Sequence, residues 1–260
     1  MSAATEYPLP LRRFATRREM GAAAATDVAD FLRAKIGIAG HGVRVIFAAA
    51  DSQRDMLESL IADHQLDWGR ITAFHMDEYI GLPPDSPQRL GNWLKRELIE
   101  RVPVGRFHAI SPELGIAAEI ERYERLLMEA PIDAVCLGIG VNGHLAFNEP
   151  GAGTDLDDRK WVKEIGLDPV SCRQQVDEGA FPSVEAMPKS AITLTVPCLL
   201  SGERLFCVAP GKVKAPAVAR ALNDPIGSAC PATALRRHAH CTLYCDREAL
   251  PEAQSKIGSG

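Results

Sequence analysis

Residues 132–151 read IDAVCLGIGVNGHLAFNEPG, and this stretch constrains the fold more than any other. From Ala134 it is an unbroken run of small and branched apolar side chains that stops at glycines. A run of that kind is the mark of a strand buried on both faces, as in a parallel sheet. In open α/β sheets, ligands bind at the carboxyl edge of such strands. His144 and Glu149, which follow the run, therefore fall where chemistry happens rather than in a core.

The rest of the chain alternates in the way a parallel sheet requires. Helical periodicity predicts helices over residues 18–35, 53–64, 89–101, 116–128 and 212–222. Strands are predicted over 43–49, 70–75, 134–138, 192–196, 205–209 and 241–245. Strands alternating with helices imply an α/β fold with a mostly parallel sheet covered on both faces. With no internal repeat and no low-complexity linker, a single domain spanning residues 1–260 is expected. Residues 151–187 stand apart, with mixed charge and little periodicity. A patternless stretch of this length in a compact domain is either a functional lid or a disordered insertion. Its place directly after His144 and Glu149 favours a lid.

Composition excludes several classes. A net charge of −5 argues against non-specific nucleic-acid binding, which needs a basic surface. An anionic substrate would need a local cluster of Lys or Arg working against the overall sign. Seven cysteines, with no CxxC pair, fit reduced and mostly buried thiols better than a disulfide framework or a zinc ribbon. The amino terminus has no signal-peptide pattern, and no apolar stretch approaches the roughly 20 residues that span a bilayer. A cytoplasmic protein with no membrane partner is expected. No second His or Cys falls at a ligand spacing near His144, so neither a metal nor a cofactor is called for.

A second segment, residues 74–83, reads FHMDEYIGLP. An acidic pair after a strand is ordinarily a solvated turn, but this one is flanked by Tyr79 and a Gly-Leu-Pro turn. Together with LGIGVNGHLAFNEPG, it closely resembles the active-site signatures of glucosamine-6-phosphate deaminases, in the expected order. The resemblance extends from the first helix near Glu19 to the closing CTLYCD strand. It implies a modified Rossmann-like αβα sandwich, shared with ribose-5-phosphate isomerases and 6-phosphogluconolactonases, with a mobile lid at about residues 151–187. It also implies a cofactor-free enzyme that isomerises and deaminates glucosamine 6-phosphate, or a close amino-sugar phosphate, to fructose 6-phosphate and ammonia.

That reaction needs ring opening, transfer of a proton from carbon 2 to carbon 1, and loss of the amine. A carboxylate with a tuned pKa can move the proton, and the resemblance assigns that role to Asp77. His144 suits relay between the ring oxygen and the anomeric hydroxyl, because each imidazole nitrogen can donate or accept near neutral pH. Glu149 would orient the imidazole and stabilise its charged form. Asn142 stands where many deaminases have aspartate; it is expected to orient by hydrogen bonding, which shifts weight onto Glu149.

The phosphate needs cations or backbone N–H groups. Lys214 matches a family lysine that opens a helix after a late strand, beside an anion-attracting helix N-terminus. Arg173 matches a lid arginine that also reaches phosphate. Gly140 and Gly143, of the GxxGH core, and Ser52 complete the expected substrate-binding set. The largest departure lies after the first predicted strand. There the family has a Gly- and Thr-rich phosphate loop, and this chain reads VIFAAADSQRDM. Asp51 is expected to be a helix N-cap turned away from the ligand; otherwise the substrate differs. A 6-phosphogluconolactonase, which shares GxxGH but usually continues TASLFP-like rather than LAFNEP, is the alternative enzyme. A non-catalytic sugar-phosphate sensor is the other. A homo-oligomer is compatible with all of these readings.

Overall fold

A computed structural model describes residues 5–39, 42–151 and 153–250. The chain opens with β1 (Leu11–Phe14), α1 (Arg17–Ala39), β2 (Val43–Phe47), α2 (Arg54–Ile61) and β3 (Ile71–His75). It continues through β4 (Asp77–Tyr79), α3 (Leu90–Leu94), β5 (Arg106–His108), α4 (Ile116–Met128) and β6 (Ala134–Gly138). After β7 (Val162–Gly166), α5 (Pro169–Asp177), β8 (Ser190–Leu194) and α6 (Val196–Leu199) come β9 (Arg204–Val208), α7 (Ala215–Asn223) and β10 (Cys241–Asp246).

Seven strands form one sheet in the order β1-β10-β9-β6-β2-β3-β5, and every pairing in it is parallel. Its strands read as continuous apolar runs because both faces are covered. In β9, Leu205 and Cys207 join the core on one face while Phe206 and Val208 join that on the other. In β6, Val135 and Leu137 alternate in the same way with Ala134 and Cys136.

The order reverses between β2 and β6. From β2 the chain builds outward through β3 and β5, whereas β6, β9 and β10 build the other way. Adjacent strands whose connections leave in opposite directions open a crevice at their carboxyl ends. Residues 48–50 and 138–140 leave the sheet at that crevice.

The α/β architecture and mostly parallel sheet match expectation, and β6 and α4 fall on the predicted ranges. The predicted strand at 192–196 lies instead at Ser190–Leu194, and Val196 already belongs to α6. The predicted helix at 89–101 is a short α3 that widens into a π-turn at Lys95–Ile99. The stretch after Gly151 carries more regular structure than its weak periodicity indicated. It holds β7 and α5, and β7 joins β8 and β4 in a second, antiparallel three-stranded sheet. In β7 only Val162 is buried, Lys163 and Ile165 are half-buried and Glu164 and Gly166 are exposed, so the strand carries no apolar alternation to read. Helix α5 starts at an N-cap, Asp168, whose carboxylate accepts from Val170 N–H, with Pro169 in the first turn.

Candidate active site

A cavity opens at the crevice, where ligands of open α/β sheets bind. Its floor is Ala48, Ala49 and Ala50 after β2, with Gly138 at the end of β6 and Ile139 and Gly140 just beyond it. Asp77 and Tyr79 of β4 form one wall, and His144, Ala146 and Phe147 another. Gln174, Gln175 and Glu178 of the α5 region lie across the top, with Lys214 nearby.

Asp77 occupies a strand rather than a turn, pairs with Thr193 in the second sheet, and is 7% exposed. Its carboxyl makes no side-chain hydrogen bond with any described residue. Burial, then the neighbouring charge of Glu78, push it up to about 8. Glu78 faces the other way and is fully buried. It accepts N–H groups of Tyr79 (2.9 Å), Leu90 (3.0 Å) and Gly91 (2.9 Å), which satisfies the start of α3. His75 is structural: its Nε2 accepts from Ile110 N–H at 2.8 Å, and burial, then Arg89, push it down to about 3, so it is neutral.

The loop from Gly140 to Glu149 is a braced turn. Gly143 has φ +93°, and a side chain there would strike Cys230 Sγ. Gly140 lies under the imidazole, where a Cβ would stand 2.1 Å from His144 Cε1 and Nε2. Ala146 adopts φ +50°, an uncommon conformation for a residue with a side chain. Asn148 holds the turn through Nδ2, which donates to the carbonyls of Leu145 and Leu194, both at 2.8 Å.

This turn stacks His144, Glu149 and Asn142 in one hydrogen-bonded group. His144 Nδ1 lies 3.4 Å from Glu149 Oε2. Asn142 Nδ2 donates to the same oxygen at 2.8 Å, while its Oδ1 accepts from His144 N–H at 3.1 Å. Burial alone would raise the Glu149 carboxyl; the hydrogen bond and charge of His144, then Ser171 and Asn142, bring it net below the usual glutamate range. Glu149 and Asn142 sit behind the imidazole, so only His144 of the three lines the cavity. Asn142 thus hydrogen-bonds both to the Glu149 carboxylate and to the His144 backbone.

Lys214 is 5% exposed and has no ion-pair partner among the described residues. Burial lowers its pKa, partly offset by Glu178. Ser52 also lines the cavity, with Gln53 Nε2 donating to its Oγ at 3.2 Å. Asp51 is turned away, as expected, but not as an N-cap. It belongs to the first turn itself, after Ala50, and pairs with Arg17 at 2.9 Å and Arg54 at 3.1 Å.

Two expected binding residues lie elsewhere. Arg173 does not reach the cavity: it is exposed on α5, beside Val141, Val170 and Val213 in a shallow outer groove. Helical geometry is the reason, because Ser171, Gln174, Gln175 and Glu178 share the inward face at i, i+3, i+4 and i+7. Gly143 shapes the turn and does not line the cavity. Sequence reasoning missed Ser171, Gln174, Gln175 and Gln53. The Asp168-Pro169 helix start followed by polar residues at helical spacing was the available signal for the first three. Gln53 lies fully buried beside the cavity, its Oε1 without a hydrogen-bond partner among the described residues, and no pattern announced it.

Comparison with known proteins covers almost the whole chain. Residues 15–244 match the model of the family described as glucosamine-6-phosphate isomerases/6-phosphogluconolactonase. A glucosamine-6-phosphate deaminase of Lactobacillus delbrueckii subsp. bulgaricus is 31% identical over 210 residues, 80% of this chain and 87% of that protein. One from Bacillus cytotoxicus is 34% identical over 194 residues, 73% of this chain and 71% of that protein. Among solved structures, a monomeric glucosamine-6-phosphate deaminase superposes with a TM-score of 0.85 at 29% identity, covering 93% of this chain and 98% of its own. A 6-phosphogluconolactonase from Thermotoga maritima superposes at 0.73 with 19% identity, over 92% and 99% of the two chains, and so speaks to the fold alone.

Proposed function

Since this chain belongs to the glucosamine-6-phosphate isomerase/6-phosphogluconolactonase family, we propose that it converts glucosamine 6-phosphate and water to fructose 6-phosphate and ammonia. The observation that carries this reading is one cavity holding both a buried, unpartnered carboxyl, Asp77, and an imidazole, His144, backed by a carboxylate. Aldose–ketose isomerisation calls for that pairing, a base for a carbon acid and a separate relay for the ring oxygen.

His144 Nε2 takes the proton of the anomeric hydroxyl and passes it to the ring oxygen as the carbon–oxygen ring bond breaks. Asp77 then removes the carbon-2 proton and returns it to carbon 1. The resulting carbon-2 iminium adds water and expels ammonia. Asp77 must be ionised to begin, and the substrate's ammonium group offsets the burial and repulsion that keep it protonated in the free protein. The phosphate rests against the Lys214 ammonium, the Ser52 hydroxyl and the Gln53 amide. Residues 153–187 act as a cover, with α5 as its inner surface. The substrate is a small amino-sugar phosphate, and the place of such a reaction is amino-sugar breakdown. Among the described residues no helix is long and apolar enough to cross a membrane.

Ammonia release from glucosamine 6-phosphate, with fructose 6-phosphate followed in parallel, tests the proposal. Equimolar formation of both is expected. No ammonia from folded protein, or hydrolysis of 6-phosphogluconolactone instead, would overturn it.

A further inference from the structure

Ser171 is not part of the loop that carries His144 and Glu149; it arrives from α5, across the cavity. Its Oγ contacts both residues of the pair. It donates to Glu149 Oε1 and lies 2.9 Å from His144 Nδ1. A hydroxyl has one hydrogen and can accept through its lone pairs. Glu149, a carboxylate held below its usual pKa, can only accept. The Ser171 hydrogen is therefore committed to Glu149, and Oγ can meet Nδ1 only as an acceptor. Nδ1 must then carry the imidazole proton, which leaves Nε2 with a lone pair beside Gly140 in the cavity.

We propose that Ser171 is a positioning residue that fixes His144 in its Nδ1–H tautomer, making α5 a working part of the acid–base site as well as its cover. A second contact ties the same helix face to the same loop: Gln174 Oε1 accepts from Val141 N–H at 3.1 Å. Ser171 and Gln174 lie one helical turn apart, so α5 is clipped to the loop at two points. Lifting the helix removes the nearer of the two acceptors at Nδ1 and leaves Glu149 Oε2 at 3.4 Å, so the Nδ1–H tautomer is held most firmly when α5 is seated. The assignment of that relay to ring opening rests on the proposed function; the tautomer itself does not.

Long-range proton–nitrogen NMR of histidine-labelled free protein reads the tautomer directly, at a pH where the imidazole is neutral. The spectrum of His144→Gln identifies the signal. Wild type is expected to show Nδ1–H, and Ser171→Thr, which keeps the hydroxyl, to show the same. Ser171→Ala is expected to give a mixture or Nε2–H. Gln174→Ala, which releases the other clip without touching the hydroxyl, is expected to keep Nδ1–H. An unchanged tautomer in Ser171→Ala overturns the proposal, as does equal loss in Gln174→Ala, which would assign the effect to helix seating. In turnover, Ser171→Ala should lower kcat about tenfold or more and leave KM within about twofold. A change in KM alone would make Ser171 a purely structural contact and sink the idea. The NMR readout needs no substrate, so failure to turn over glucosamine 6-phosphate would not be mistaken for failure of the Ser171 assignment.

Discussion

Asp77 and Glu78 are adjacent carboxylates whose surroundings give them opposite roles. Glu78 is consumed by three backbone N–H groups, while Asp77 is buried beside a cavity with nothing to stabilise its charge. Folded Asp77 keeps its proton up to about 8, whereas the unfolded residue releases it near 3.8. The folded state therefore binds the extra proton between these values, and stability falls as pH rises through that window. Asp77→Asn should remove this slope and be the more stable of the two at pH 8, measured by denaturant unfolding across pH. It should also abolish carbon-2 proton exchange with solvent deuterium. Retained exchange would reassign the base. For the wild type, kcat/KM should climb toward a plateau with an apparent pKa near 8, since the base must be ionised. Gly140 is constrained just as tightly, by contact rather than charge. Gly140→Ala puts a methyl group 2.1 Å from the imidazole, so His144 must move. We expect kcat/KM to fall by about 100-fold or more with little change in Tm, and near-normal turnover would mean the ring is free to shift. Neither the opposite fates of 77 and 78 nor the contact at Gly140 is visible in a string of letters. The motifs identify which residues matter, and packing assigns what each does.

At the scale of elements, the site is a loop from the sheet edge, a strand of the second sheet, and a cover helix. The loop was legible because an apolar run that stops at glycines marks a buried strand giving way to a turn. Helix α5 was not, since its inward face is Ser, Gln, Gln and Glu, and a helix that faces a polar cavity shows no apolar stripe. The lid was inferred instead from its place after Glu149. Arg173 was misplaced for the same reason: without the helix, nothing distinguishes its face from that of Gln174. Short α3 depends on Glu78 in place of a conventional cap, as its N-cap residue Arg89 makes no capping bond. Glu78→Gln would turn one buried acceptor toward an N–H as a donor. That should cost about 1–3 kcal/mol and lower Tm by roughly 2–8 °C in a melt. Removal of the Glu78 charge should also move the pH–rate limb assigned to Asp77 downward. An unmoved limb would show that burial alone sets it.

For the molecule as a whole, burial governs the thiols. All seven cysteines are free and buried, and burial pushes Cys136 and Cys245 up to about 12. Thiolates, not thiols, react, so native protein should give almost no fast reaction with a thiol reagent, and all seven should titrate after denaturation. Rapid labelling of several cysteines without unfolding would contradict the packing. The alternation of strands and helices was readable because a parallel sheet covered on both faces demands apolar strands joined by amphipathic helices, and each demand is local in sequence. Residue identity likewise determined the chemistry available: a carboxyl at 77, an imidazole at 144, an ammonium at 214. Strand order was not local. That β2 lies against β6, and so opens the crevice between residues 48–50 and 138–140, follows from pairings across about 90 residues of chain. Such pairings are decided by packing the whole sheet. The charge state of Asp77 and the meeting of Ser171 with His144 depend on that packing. They arise from atoms brought together by the fold from strands and helices far apart in the sequence, and only the tertiary structure decides them.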